Sequence, residues 1–213
     1  MFISFEGIDG SGKSTAMEKL KKYIKSKYDL NDFIFTREPG GYNLPECEQI
    51  RNIILDKNNK DLIPVSEMLL YLASRKIHVE KLIKPSIQKN KIVISDRFLD
   101  SSIAYQGGGR ELGLEFVENL NLDVLKNFKP NFTFYFKIDY KTSLERMNKN
   151  KIELDRLENE SIDFYKKVIE SYNYLSQRDK ERYIIIDATK SSDEVFEELI
   201  KEFEKIMRSI NGN

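Results

Sequence analysis

Nine consecutive residues carry the strongest chemical signal in the chain. Gly7-Ile8-Asp9-Gly10-Ser11-Gly12-Lys13-Ser14-Thr15 fits G-x-x-x-x-G-K-[ST] at every fixed position. Glycines let such a loop curl until its N–H groups converge on phosphate oxygens, and the helix that follows adds the positive end of its dipole. Lys13 is spaced to reach the outer phosphates, and the Ser14 hydroxyl to sit on Mg²⁺. Gly7 through Thr15 therefore read as a site for a nucleoside triphosphate. A second acid fits the same chemistry. Ile92-Val93-Ile94-Ser95 is an apolar strand ending in Asp96, the place expected for a second Mg²⁺ ligand, and Arg97 follows at once, where positive charge would face phosphates.

Two large classes fall away. A GTPase needs N-K-x-D, and Asn59-Lys60, Asn90-Lys91 and Asn148-Lys149 all lack the Asp. A protein kinase needs H-R-D, and the sole histidine, His78, is not in one. The acceptor side is less explicit. Thr36-Arg37-Glu38-Pro39-Gly40-Gly41 ends a strand, where ligands bind in parallel sheets. Tyr71 and Arg75 share a helical face, which suits either a base clamp or a rim aromatic beside a solvated arginine. His78, one turn on, reads as a surface residue, and Cys47 as structural.

These residues need a scaffold. Strands are expected at Phe2–Glu6, Asp32–Thr36, Lys91–Ser95, Phe132–Ile138 and Arg182–Asp187. Helices are expected at Lys13–Tyr28, Leu44–Leu55, Pro64–Gln88, Ser143–Lys149, Ser161–Asp179 and Ser192–Met207. In the long helix Val65, Met68, Leu69, Leu72, Val79 and Ile83 form the buried stripe, and Pro85 bends or ends it. Five apolar strands alternating with helices predict an α/β fold: a five-stranded parallel sheet with helices on both faces, in one domain over residues 1–213. Nine of the ten glycines fall in three clusters, at Gly7–Gly12, Gly40–Gly41 and Gly107–Gly113, which suggests three loops around one site.

Composition narrows the partners. The 35 basic and 35 acidic side chains balance, which argues against a broad nucleic-acid surface. No run approaches the ~18 apolar residues of a membrane span, and the N-terminus carries no basic lead. A single cysteine excludes an intrachain disulfide.

Five segments in register resemble bacterial thymidylate kinases: Gly7–Thr15, Thr36–Gly41, Asp96-Arg97-Phe98, Tyr105–Arg110 and Glu153–Glu158. The resemblance spans essentially the whole chain. It implies a three-layer P-loop kinase fold with a lid over about residues 148–158, a cytoplasmic homodimer, and transfer of the ATP γ-phosphoryl group to thymidine monophosphate (dTMP). Position by position, it implies that Tyr71 stacks on thymine, that Arg75, Ser102 and Gln106 contact the base, and that Tyr105 favours deoxyribose. Arg51 and Arg97 would grip the acceptor phosphate, with Asp9 and Glu38 as the acids beside them. The catalytic cation would come from the lid, because Gly10 follows Asp9 in the loop; Lys149, Lys151 and Arg156 are the candidates. The chain departs from the family pattern at Tyr42 and by a short insertion between Gly41 and Arg51. Another (deoxy)nucleoside monophosphate as acceptor, or a P-loop ATPase switch, are the competing readings.

Overall fold

The computed structural model describes residues 1–149, 156 and 160–211. Among them five strands form one parallel sheet in the order β2-β3-β1-β4-β5. The strands are β1 (Phe2–Glu6), β2 (Phe33–Arg37), β3 (Ile92–Asp96), β4 (Phe132–Lys137) and β5 (Tyr183–Asp187). All five expected strands are present, within about a residue at each end. Their continuous apolar runs are what a sheet covered on both faces requires. The register sets Phe5 beside Asp96 on one side and Phe134 on the other, so the C-terminal ends of the central strands finish level.

Helix α1 (Lys13–Lys27) and helix α9 (Ser192–Asn211) cover one face; Tyr23 meets Phe196 edge-on between them, and Phe203 packs α9 on Phe33 of β2. The other face carries α3 (Pro64–His78), α5 (Leu99–Ser102), α6 (Leu114–Leu125) and α8 (Ile162–Arg178). There Phe2 meets Phe98, and Tyr135 stacks on Tyr172 at 5.2 Å. Prolines open α2 (Pro45–Leu55) and α3, where their missing N–H costs nothing. Ser161 caps α8 by accepting from the Phe164 N–H. α7 (Tyr140–Lys149) links β4 to the segment before α8.

Several elements differ from expectation. The chain continues from α3 through a wide π-helical turn, Val79–Ile83, into α4 (Lys84–Gln88). Pro85 therefore neither ends the helix nor breaks its bonding, because the turn has already shifted to i−5, with the Lys84 N–H on the Val79 carbonyl. Helix α6 was not expected; Leu114, Val117, Leu120 and Leu125 carry a helical signal behind Gly113. The third glycine cluster is not a loop either. Gly107–Gly109 close a second π-helical segment, Ile103–Gly109, that presses on α8. A Cβ on Gly108 would lie 2.0 Å from the Ser171 hydroxyl, and one on Gly109 2.5 Å from the Phe164 ring.

The largest surprise is on α3. Val65 and Leu69, expected in the core, are 41% and 49% exposed. In their place a polar stripe, Glu67, Tyr71, Arg75 and His78, is buried at spacings of one helical turn. The core there is kept by Met68 and Leu72, with Val79 and Ile83 beyond.

Candidate active site

The loop between β1 and α1 is built by backbone constraint. Gly10 and Gly12 sit in the left-handed region (φ 73° and 86°), which side-chain-bearing residues avoid. A Cβ on Gly10 would also strike the Ser143 carbonyl at 2.6 Å. Gly12 ends the loop without a side-chain cap, and the first turn of α1 holds no acid. The N–H groups at this helix start are thus left for an anion. Lys13 Nζ donates to the Gly7 and Ile8 carbonyls at 2.8 and 2.9 Å. Burial and the nearby Arg97 charge pull its ammonium down to about 8. A cavity of about 360 Å³ opens on this loop, with Arg146, Lys149 and Lys190 on its far wall.

A second cleft, of about 400 Å³, adjoins it at the C-terminal ends of β1, β2 and β3. Asp9 and Ser14 line both. Arg97 adopts φ 70° and donates to Asp9 Oδ1 at 2.5 Å, to the Gly7 carbonyl at 2.8 Å and to Ser101 Oγ at 3.2 Å. Its guanidinium lies 5.1 Å from the Tyr105 ring, and the Tyr105 hydroxyl donates to Asp9 Oδ2 at 3.3 Å. Burial alone would raise the Asp9 carboxyl, but Arg97 and Lys13 outweigh it and hold it below the usual carboxylate range.

The residues fit a magnesium ion. Asp96 Oδ1 is buried without a hydrogen-bond partner, and Asp96 Oδ2 accepts from Ser14 Oγ at 3.4 Å. No group of three or more His, Cys, Asp or Glu residues suited to a metal occurs among the described residues. An ion here would take Ser14 and Asp96 as its protein oxygens and complete its shell from phosphates and water, the usual habit of Mg²⁺.

The cleft brings together most of the expected acceptor residues. Glu38, Arg51, Tyr71, Arg97, Ser102, Tyr105 and Gln106 line it. Ser102 Oγ is buried and has no hydrogen-bond partner among the described residues. Arg51 Nη1 donates to the Pro39 carbonyl at 2.8 Å, so the insertion before it does not remove it from the cleft. Tyr42, also in the wall, lies over Arg37, which the motif reading passed over.

Two residues are placed other than expected. Arg75 does not line the cleft. It is 1% exposed and donates to Glu38 Oε2 (2.7 Å), Asn121 Oδ1 (2.6 Å) and the Phe98 carbonyl (3.1 Å). His78 is not on the surface but fully buried, between Glu38 Oε1 (2.9 Å) and Thr36 Oγ1 (2.8 Å). A carboxylate only accepts, so Nδ1 of His78 carries the proton toward Glu38. The three lid cations separate. Lys149 lies at the phosphate cavity. Arg156 is buried instead against Glu67 and the Ile54 carbonyl, lining neither cavity. Lys151 and most of the expected lid lie outside the described residues.

Sequence reasoning missed four polar side chains that organise these walls. Glu67 is one. Glu6, at the end of β1, is another; it accepts from the Phe98 N–H, Ser101 Oγ and the Tyr172 hydroxyl. Burial, with Asp100 adding to it, pushes its carboxyl up to about 7. Arg146 donates to the Ala188, Thr189 and Lys190 carbonyls and so holds the loop after β5 beside the phosphate cavity. Asn121 anchors Arg75. A charged side chain on an otherwise apolar strand, as at Glu6, was the one available signal.

The family model described as thymidylate kinase matches residues 5–199. The chain belongs to the thymidylate kinase family. Thymidylate kinases of Mycoplasmopsis agalactiae and Mesomycoplasma hyopneumoniae (strain 232) are 44% and 45% identical to it. The matches cover 94% of this chain and 93% of the first relative, and 98% and 99% for the second. Among solved structures, the crystal structure of thymidylate kinase from Ehrlichia chaffeensis superposes with a TM-score of 0.77 at 34% identity, covering 96% of this chain and 98% of that one. The family relationship thus extends over the whole sheet, both cavities and the helices around them.

Proposed function

We propose that the chain transfers the γ-phosphoryl group of ATP to dTMP, giving ADP and thymidine diphosphate for dTTP synthesis. One observation carries the assignment of donor and acceptor to sites: the phosphate cavity and the neighbouring cleft share Asp9 and Ser14. Two phosphorylated ligands seated in them would meet there, end to end.

The acceptor is a phosphate monoester, already anionic near neutral pH, so no strong general base is needed. The barrier is repulsion between two polyanions, and the work is positioning and charge stabilisation. The loop N–H groups and Lys13 hold the donor phosphates. Arg97, braced by Asp9 and the Gly7 carbonyl, presents its charge at the shared wall, with Arg51 on the acceptor side. Mg²⁺, held by Ser14 and Asp96, would neutralise charge on the donor phosphates when bound. Tyr71 gives the base a face to stack on, Ser102 and Gln106 meet its edge, and Tyr105 sits where it selects deoxyribose. Lys149 is the lid cation that the geometry favours, and Arg156 serves the acceptor wall.

The apolar residues left exposed on the adjoining helices α2, α3 and α6, namely Ile53, Val65, Leu69 and Phe116, support a homodimer through this face. No helix among the described residues is long and apolar enough to cross a membrane, and the reading places one kinase domain in the cytoplasm with its nucleotides. A coupled assay of ADP release over dTMP, dUMP, dCMP and dGMP tests the function: dTMP gives the strongest response, and no response to dTMP refutes it.

A further inference from the structure

Glu67 opens the buried polar stripe of α3, one turn before Tyr71, and has no contact with solvent (0% exposed). A carboxylate there must be paired. Its three partners come from two separate segments. Gln106 Nε2 donates to Oε1 at 2.9 Å. Arg110 donates from Nε to Oε1 at 3.3 Å and from Nη2 to Oε2 at 3.2 Å. Arg156 Nη2 donates to Oε2 at 2.5 Å, and its Nε donates to the Ile54 carbonyl at 2.8 Å. Ile54 in turn packs on Tyr71.

A side-chain amide has a donor at one end and an acceptor at the other, and its neighbours decide which end faces where. An ionised carboxylate can only accept. Glu67 therefore fixes Gln106 with its NH₂ turned to the carboxylate, which makes the carbonyl oxygen the end presented to the cleft that Gln106 lines. Thymine offers a donor at N3. Cytosine has an acceptor at N3 and a donor at C4. A fixed acceptor matches the first N3 and opposes the second.

We propose that Glu67 is the positioning residue for base selection, locking the Gln106 amide as an acceptor toward the base. The proposal rests on Gln106 contacting the base, as read above. Glu67 touches neither substrate; it acts through Gln106.

Steady-state kinetics of Glu67→Gln with dTMP, dCMP and ATP test it. An uncharged amide no longer dictates which end of Gln106 it meets. The KM for dTMP should rise about tenfold or more, while the KM for ATP stays within about twofold. The ratio of kcat/KM for dTMP over dCMP should fall by at least about tenfold, because the amide is free to turn its donor to the base. Glu67→Asp keeps a negative charge for the two arginines but draws back from Gln106, and should move the ratio in the same direction; it decides the matter if Glu67→Gln does not fold. An unchanged ratio in a folded variant, or equal losses with both acceptors, overturns the proposal. Gln106→Ala separates the two levels. If it leaves the KM for dTMP unchanged, the placing of Gln106 at the base fails. If it raises that KM while the Glu67 variants keep their discrimination, only the role of Glu67 fails.

Discussion

The phosphate cradle and the acceptor wall lie side by side, share Asp9 and Ser14, and are built by opposite means. The cradle is contiguous: nine residues, three glycines and one helix start, with N–H groups as its principal tools. The acceptor wall is a web of buried charges drawn from distant segments. Glu67 bonds to residues 39 and 89 positions away, and Arg75 to Glu38 and Asn121 across 37 and 46. A cradle made of backbone tolerates loss of a side chain structurally and pays only in chemistry. A web of buried ions should do the reverse, because removing one member strands the others in a medium that solvates them poorly.

The largest effect expected is on the cradle. Lys13→Ala should lower kcat by about 10³-fold, in line with removal of a preorganised charge from a site of developing charge. Its melting temperature should stay close to the parent's, since Lys13 bonds only to loop carbonyls and Ser11. Turnover near the parent level would break the comparison at its strongest point. Arg97 belongs to both regions, and Arg97→Ala should cost about 10²-fold in kcat. Rapid-quench single turnover shows whether the loss lies in the transfer step.

On the acceptor wall the readout shifts to stability. His78→Ala leaves Glu38 Oε1 and Thr36 Oγ1 without their partner and should cost about 1–3 kcal/mol in urea unfolding. Its kcat at saturating substrate should change far less than that of Lys13→Ala. A silent His78→Ala would show that the web is looser than its geometry.

The smallest effect concerns pH. Glu6 is raised from 4.5 to about 7 by burial and by Asp100, against Ser101, Arg97 and Tyr172, which favour its charged form. Between those values the folded chain holds a proton that the unfolded chain has released. The contribution of Glu6 to stability is therefore full below pH 4.5 and lost as the pH rises through about 7. Glu6→Gln should flatten that part of the profile, measured as urea midpoints across the interval. A profile as steep as the parent's would exclude Glu6 as its source.

The same contrast explains what could be read from residues alone. The cradle and the five strands were legible because their signals are local: a fixed spacing, or an unbroken apolar run. On α3 the pattern misled. Apolar periodicity assigned Val65 and Leu69 to the core, and the polar residues Arg75 and His78 were open to a solvated reading. Their burial depends on partners such as Thr36, Glu38 and Asn121, which no period within α3 reports. The family resemblance placed Tyr71, Ser102, Tyr105 and Gln106 at one cleft. It did not indicate that Arg75 bonds to Glu38, nor that Arg156 bonds to Glu67.

The glycines at the end of the second π-helical segment restrict how this enzyme can be improved. Replacing a helical glycine by alanine ordinarily gains about 0.5–1 kcal/mol, so Gly107–Gly109 look like easy targets for a thermostable variant. Here the gain is barred by space rather than by backbone angle. A methyl group at Gly108 or Gly109 would collide with Ser171 or Phe164 of α8, wedge the two helices apart and carry Tyr105 and Gln106 with them. Selection for heat resistance would have to pass over these glycines, because their close seat on α8 leaves no room for a side chain.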